Sequence, residues 1–299
     1  MSKKPILLAF LAALCLMLLP VVAFAAETNV NITVNPQAGG APVTEIKGAV
    51  NWDQGVIQAS GTGVPPAQSS GPAQANAMAR RAAVVDAYRN LTELIGGVRV
   101  EAETTVKNFE VASDVVRTRI SGLIQGAKIV SEQSMPDGSY QVTMQVSLFG
   151  ANSVAAAIKE QMQPVEILPV PGPSPSYQPP AATIPRYTGV IVDARGLGLE
   201  RVMSPRIYDE SGRIVYGNMY INADNVVRYG MVDYAGSPEL VTAATAGNSR
   251  AGNNPIIVKA VGLKDFNANV VISQADADMI LAANVQAGFF AKTAVVFEQ

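Results

Sequence analysis

Between Pro164 and Pro185 the chain carries Pro164, Pro169, Pro171, Pro173, Pro175, Pro179, Pro180 and Pro185, with almost no charge. Each proline fixes φ and removes a backbone donor, so neither a helix nor a central strand can run through such a stretch. The chain of 299 residues is thereby divided into two parts of ordinary domain size, residues 43–163 and 186–299. The stretch itself, residues 164–185, reads as an extended, semi-rigid spacer. A ligand for a proline-reading groove would share this composition, and the plain spacer is the simpler reading.

The N-terminus predicts export. Lys3 and Lys4 form a positive start, an apolar run covers Pro5 to Val22, and Ala23-Phe24-Ala25 supplies the small-x-small pattern of a cleavage site. Cleavage before Ala26 makes residues 1–25 a signal peptide, the alternative being a retained membrane anchor. Cys15, the one cysteine, has leucine on both sides, so it is read as part of the apolar run and not as a lipidation site. Residues 26–42 are polar, with Pro and Gly, and read as an extended lead-in. The expected location is the periplasm or cell envelope.

Without its leader the chain has no cysteine, and it has no histidine anywhere. The usual thiol and imidazole nucleophiles, bases and metal ligands are therefore missing. Loss of Lys3 and Lys4 leaves 20 basic against 24 acidic side chains, a balance without the basic stripe that nucleic-acid binding uses. Neither a Gly-x-Ser-x-Gly elbow nor a Walker loop occurs. Gly196-Leu197-Gly198 lacks the third glycine of a dinucleotide fingerprint, since Arg201 occupies that position, and reads as a plain loop. Carboxylates remain for chemistry without histidine. Asp209 and Glu210 fall in a turn, Asp276 in a helix cap and Asp278 on a helix's first turns, where the dipole favours acid. Asp193, beside Arg195, is read as half of an ion pair. No catalytic, cofactor-binding or metal-binding residue is assigned.

In the first part, Val56–Gly63 predicts a strand and Ala73–Ile95 a helix with the stripe Ala77, Val84, Tyr88, Leu91 and Ile95. A second helix, Ser113–Leu123, has Ser113 as cap and Val116, Ile120 and Leu123 on one face. Lys128–Ser134 and Ser139–Leu148 flank the turn Met135-Pro136-Asp137-Gly138, and the second of these strands alternates apolar and polar residues throughout. One face buried and one wet imply an antiparallel sheet with helices on one side, followed by an alanine-rich helix over Ser153–Gln163. The fold class is α+β. The second part predicts strands at Thr188–Ala194, Ile256–Val261, Asn269–Ile272 and Ala294–Phe297. A hairpin around Asp209-Glu210-Ser211-Gly212 and a helix capped at Ser273 complete a mixed α/β domain. Arg80, Arg81 and Arg89 on the long helix form a possible partner-contact surface for protein or anionic groups, diluted by Asp86 and Glu93.

Gly61-x-Gly63, then the run from Ala79 through Arg80, Arg81, Asp86, Tyr88, Arg89 and Asn90 to Leu91, then Leu94, Ile95, Gly96, Gly97, Val98 and Val100, resemble a known pattern. So do Gly126-Ala127 and Asp137-Gly138-x-Tyr140. Over residues 55–150 the chain looks like the Lpp-twenty-type envelope lipoprotein family and the related N-terminal domain of the flagellar H-ring protein FlgT. The resemblance implies an α+β domain of envelope lipoproteins or of a periplasmic ring around the flagellar basal body, with no enzymatic activity and no cofactor. This chain departs from the lipoproteins in lacking a lipidation motif, and residues 186–299 do not resemble the rest of FlgT.

The expected function is that of a non-enzymatic, exported envelope scaffold or assembly factor, with envelope or flagellar basal-body proteins as partners. The alternative is a periplasmic binding module for peptidoglycan, glycan or anionic lipid. A carboxylate-based hydrolase using Asp193 is the third and poorest reading.

Overall fold

A computed structural model describes residues 47–68, 71–162, 167–178 and 186–299. The signal-peptide positions Cys15, Ala23, Ala25 and Ala26 and the lead-in 26–42 lie outside them. The fold is α+β.

The first half is built on four antiparallel strands in the order β1-β2-β4-β3, with β1 Gly48–Asn51, β2 Val56–Gly63, β3 Lys128–Ser134 and β4 Tyr140–Ser147. Alternation works as expected on β2 and β4. Ile57, Ala59, Val142, Met144 and Val146 are buried against the helices. On the other face, Gln58 pairs with Gln145 at 2.8 Å and Ser60 with Thr143 at 2.8 Å. The Met135–Gly138 turn closes as its residues require: Gly138 adopts φ +81°, and Asp137 Oδ1 accepts from the Ser139 amide and hydroxyl.

Helix α1, Pro72–Gly97, lies on the sheet by a stripe that keeps Leu91 and Ile95 of the expected one and otherwise departs from it. Ala79, Ala83, Ala87, Leu91, Leu94 and Ile95 are buried, whereas Ala77 is exposed and Val84 and Tyr88 are half-buried. The reason is the pair Gly61 and Gly63. A Cβ on Gly61 would run into the Ala87 amide and Ala83 carbonyl, and one on Gly63 into the Ala79 carbonyl. Two glycines opposite three alanines bring the helix backbone onto the strand, a contact made by small residues and invisible to a search for large apolar ones. Two polar links fix the register. Asn90 Nδ2 donates to the Ser60 carbonyl at 2.7 Å, and the Thr62 amide donates to Asp86 at 3.0 Å.

Helix α2, Val106–Ala112, was not expected; α3, Asp114–Gln125, is the Ser113-capped helix, with Val116, Ile120 and Ile124 inward in place of Leu123. The helix expected over Ser153–Gln163 is two short pieces, α4 Val154–Ala157 and α5 Lys159–Met162, parted at Ile158.

The second half holds β5 Gly189–Asp193, β6 Ile207–Asp209, β7 Ile214–Tyr216, α6 Ala223–Tyr229, β8 Asp233–Ala235 and α7 Pro238–Thr245. Next come β9 Pro255–Lys259, β10 Gly262–Lys264, β11 Asn269–Ile272, α8 Gln274–Ala287 and β12 Val295–Glu298. One sheet, β8-β12-β5-β9, is wholly parallel; the other, β10-β11-β6-β7, is mixed. The central strands of the parallel sheet, β5 and β12, are buried on both faces, which suits their runs of apolar residues. Ile191 and Val296 pack with Ala244 and Ala251 beside Val241 of α7. Val190, Val192, Val295 and Phe297 join a core continuous with that of the first half.

The proline-rich stretch does not hold the halves apart where it is described. Over residues 167–178 it is laid on the second half as a strap. The Leu168 amide donates to the Met219 carbonyl at 2.8 Å, and the Ser174 amide and hydroxyl donate to Asp278 at 2.8 and 3.0 Å. Proline removes backbone donors from the strap, and among those that remain the Leu168, Ser174 and Tyr177 amides are bonded.

Candidate functional site

A cleft of about 190 Å³ opens where the halves meet, lined by Trp52, Asp53, Gln54, Phe149, Tyr229, Val232, Asp233, Tyr234 and Arg250 among others. Its near wall is the β1–β2 turn. Asn51 Oδ1 accepts from the Gln54 amide at 2.9 Å, and Gly55 takes φ +63°, so the turn carries Trp52 and Asp53 at its tip. The far wall is the end of α6. Gly230 stops that helix at φ +74°, where a Cβ would meet the Phe149 ring. The missing side chain leaves room for the ring, and Tyr229, 52 % exposed, projects beside it.

The floor is braced. Arg250 donates to the carbonyls of Tyr229, Gly230 and Thr293 and forms an ion pair with Asp233 at 2.5 Å. Trp52 meets Tyr234 edge to face at 5.8 Å, and Tyr234 meets Phe297 likewise at 6.0 Å. The Tyr234 hydroxyl donates to the Val202 carbonyl and accepts from the Val202 amide. Burial pushes its pKa far up, so it stays a neutral phenol. Arg201 lies over the Tyr234 ring at 5.9 Å and reaches Asp53 at 3.3 Å. The result is a small recess lined by Trp52, Phe149, Tyr229 and Tyr234, with the paired carboxylates Asp53 and Asp233 at its rim. At about 190 Å³ the recess is smaller than a drug-sized pocket.

The arginines of α1 divide: Arg81 and Arg89 line one hollow, and Arg80 does not. Arg80 pairs with Glu132 of β3 at 2.7 Å and Arg89 with Asp86 at 2.6 Å. Arg81 makes no ion pair among the described residues; with Arg89, Val85 and Thr62 it lines a second, open hollow of about 490 Å³. Asp193 is held by both Arg195 Nε and Nη2 at 2.8 Å, which lowers its pKa to about 2. Neighbouring Glu298, 2 % exposed, has its carboxyl pushed up by burial, against the pull of Arg195, with Asp193 reinforcing the rise. This pair lies outside the cleft. Asp209 Oδ1 accepts from Ser211 and the Arg213 amide within its turn, while Asp276 accepts from the Ser273 hydroxyl. Asp278 does not serve the helix dipole alone; it anchors the strap and Arg213. Gly196 and Gly198 shape an open loop at φ +79° and +77°. Among the described residues, no cluster of three or more acidic, cysteine or histidine side chains is placed to hold a metal.

None of the cleft residues was singled out from sequence. Trp52 is the chain's one tryptophan and precedes an Asp-Gln-Gly turn, a signal available in principle. Tyr229 and Arg250 carry no such mark.

Residues 189–297 match the family described as Treponema pallidum Tp0624, second domain. The match opens at the first residue of β5 and closes in β12, so the second half is similar to that domain. No curated protein matches the chain.

Proposed function

We propose that the protein is a non-enzymatic contact module of the bacterial envelope, delivered by export, whose junction cleft receives a ring-bearing group from a protein partner. The observation that carries this reading is the arrangement of Trp52, Phe149, Tyr229 and Tyr234 around a recess braced by Arg250. Rigid aromatic anchors lose little entropy on binding and dominate protein interfaces. The leader sequence and the resemblance of residues 55–150 to envelope lipoprotein and FlgT domains support the location and the scaffolding role. Asp193 offers little support to a hydrolase, because both its carboxylate oxygens are held by Arg195 and it does not line the junction cleft.

Pull-down of the tagged chain from crosslinked envelopes should recover a defined complex, and Trp52→Ala should reduce its yield by at least tenfold. Equal recovery with the variant would defeat the reading. Repeating the fractionation in cells with and without flagellar basal bodies separates a flagellar from a general envelope role.

A second reading is favoured by Asp53, Gln54 and Asp233 at the rim, since sugar rings stack on aromatic faces and hydrogen-bond to such groups. Sedimentation with purified sacculi distinguishes it, and anionic liposomes test the lipid form through Arg81. A protein that remains in the supernatant with both at low salt is not a glycan or lipid module.

A further inference from the structure

Among the described residues, Glu298 is the one buried carboxylate with an oxygen that no donor reaches. Its side chain is 2 % exposed, and Oε1 has no hydrogen-bond partner. Asp209 and Asp278 are buried to a similar degree, yet both are met by Arg213 and by serine donors. A carboxylate withdrawn from water needs a donor or a cation at each oxygen, and an oxygen that lacks both marks a place where an ion or water completes the site.

The surroundings of Glu298 favour an ion. Glu298 closes β12 and Asp193 closes β5, and the two are register partners in the parallel ladder, so their side chains leave the same face. They stand at the carboxyl edge of a wholly parallel sheet, the edge at which α/β sheets take their ligands. Arg195 Nε lies 2.8 Å from Asp193 Oδ1 and 3.6 Å from Glu298 Oε2. The first contact is a hydrogen bond and the second is too long for one. Two carboxylates from neighbouring strands therefore converge on one positive centre that satisfies only Asp193. Arg195 is lightly held apart from this. Its side chain is 54 % exposed and bonds nothing else among the described residues. It opens a loop in which Gly196 and Gly198 take φ +79° and +77° with open space around them. Lys259, the register partner of Asp193 on β9, is exposed and adds positive charge on the side away from Glu298.

The geometry points to a site for one hard divalent cation, Mg2+ or Ca2+, between Asp193 and Glu298 at the carboxyl edge of β5 and β12, with Arg195 swinging outward to admit it. Mg2+ keeps several waters and takes as few as one or two carboxylates, so the site does not need the third acidic side chain that is missing here. Arg195 is an internal competitor of the ion. With Lys259 nearby, the expected dissociation constant is on the order of 10⁻⁴–10⁻³ M, the range of extracellular calcium modules. None of these residues lines the junction cleft, so the site stands or falls independently of the contact reading.

The test uses the leader-free chain, stripped with EDTA and freed of chelator, then titrated calorimetrically with MgCl2 and with CaCl2 up to about 10 mM, tenfold above that range. Saturable binding of a single ion is expected, with a matching rise in unfolding temperature, since a ligand of the native state stabilises it. Both effects should vanish when Glu298→Gln and Asp193→Asn are combined, changes that keep side-chain shape. Arg195→Ala should tighten binding by roughly threefold or more, because a like charge leaves the site. A purely structural ion pair would not produce that gain. Absence of saturable binding to the wild type, binding seen only after Arg195 is removed, or binding that survives the double change overturns the site. Weaker binding by Arg195→Ala overturns it as well, since Arg195 would then support the carboxylates and not compete for them. Should the double variant fail to fold, the comparison of wild type with Arg195→Ala decides alone.

Discussion

Gly61 and Gly63 determine how closely α1 approaches its sheet, because neither position leaves space for a methyl group against the helix backbone. Gly61→Ala should therefore destabilise the protein by roughly 2–3 kcal/mol, the cost of overpacking where the obstacle is backbone and cannot swing aside. Gly122→Ala is the matched control. That glycine is inside α3 with open space around it, so alanine should add about 0.5–1 kcal/mol. Urea unfolding measures both, and a Gly61→Ala protein as stable as wild type would mean that the helix is free to lift. Sequence reading recognised the Gly-x-Gly and the helix but aligned the helix on Val84 and Tyr88, whose larger apolar surfaces weigh more in a periodicity argument than three alanines. The same bias hid the cleft. Trp52, Tyr229 and Arg250 belong to no repeating pattern, and they meet only through the packing of distant segments.

Among elements, those specified by local chemistry were legible: β2, β3 and β11 coincide with their expected spans, and the Ser113 and Ser273 caps open α3 and α8 as read. Short pieces whose conformation depends on neighbours were not. β1 is four residues long and exists by pairing with β2, and the region from α6 to α7 has no long apolar period. The strap is the plainest case, since composition foretold an extended chain but not where it lies. Asp278 and Ser174 are far apart in sequence, and their bond fixes the path. Asp278→Ala should release the strap. Amide exchange over residues 167–178 should quicken at least tenfold while exchange over residues 56–147 stays unchanged. Unchanged protection of the Ser174 amide would show that the Leu168–Met219 bond alone suffices.

At the scale of the whole molecule, the shared core predicts a single calorimetric transition, since neither half can lose its packing without exposing the other; two resolved transitions would contradict it. Acid should lower that transition. Hydrogen bonding from Arg195 holds Asp193 at about 2. For Asp209 and Asp278 burial works upward, but donors from Arg213 with Ser211 or Ser174 prevail and hold both below the usual range. A carboxyl depressed on folding stabilises at pH above its unfolded value and ceases to do so as protons return. The unfolding temperature should therefore fall as pH drops from about 4 towards 2, and less steeply in Asp193→Asn. Glu298 acts oppositely, because a raised carboxyl favours the fold while protonated and that contribution is lost as pH climbs through its folded value. The parallel sheet has one more consequence, for the order in which it can be completed. β12 lies between β8 and β5 yet follows both in the chain. For a polypeptide emerging N-terminus first, the pairings of β12 with β5 and β8 cannot form until Val295–Glu298 arrives. The latecomer is the keystone: until it is seated, β5 and β8 have no strand to join them.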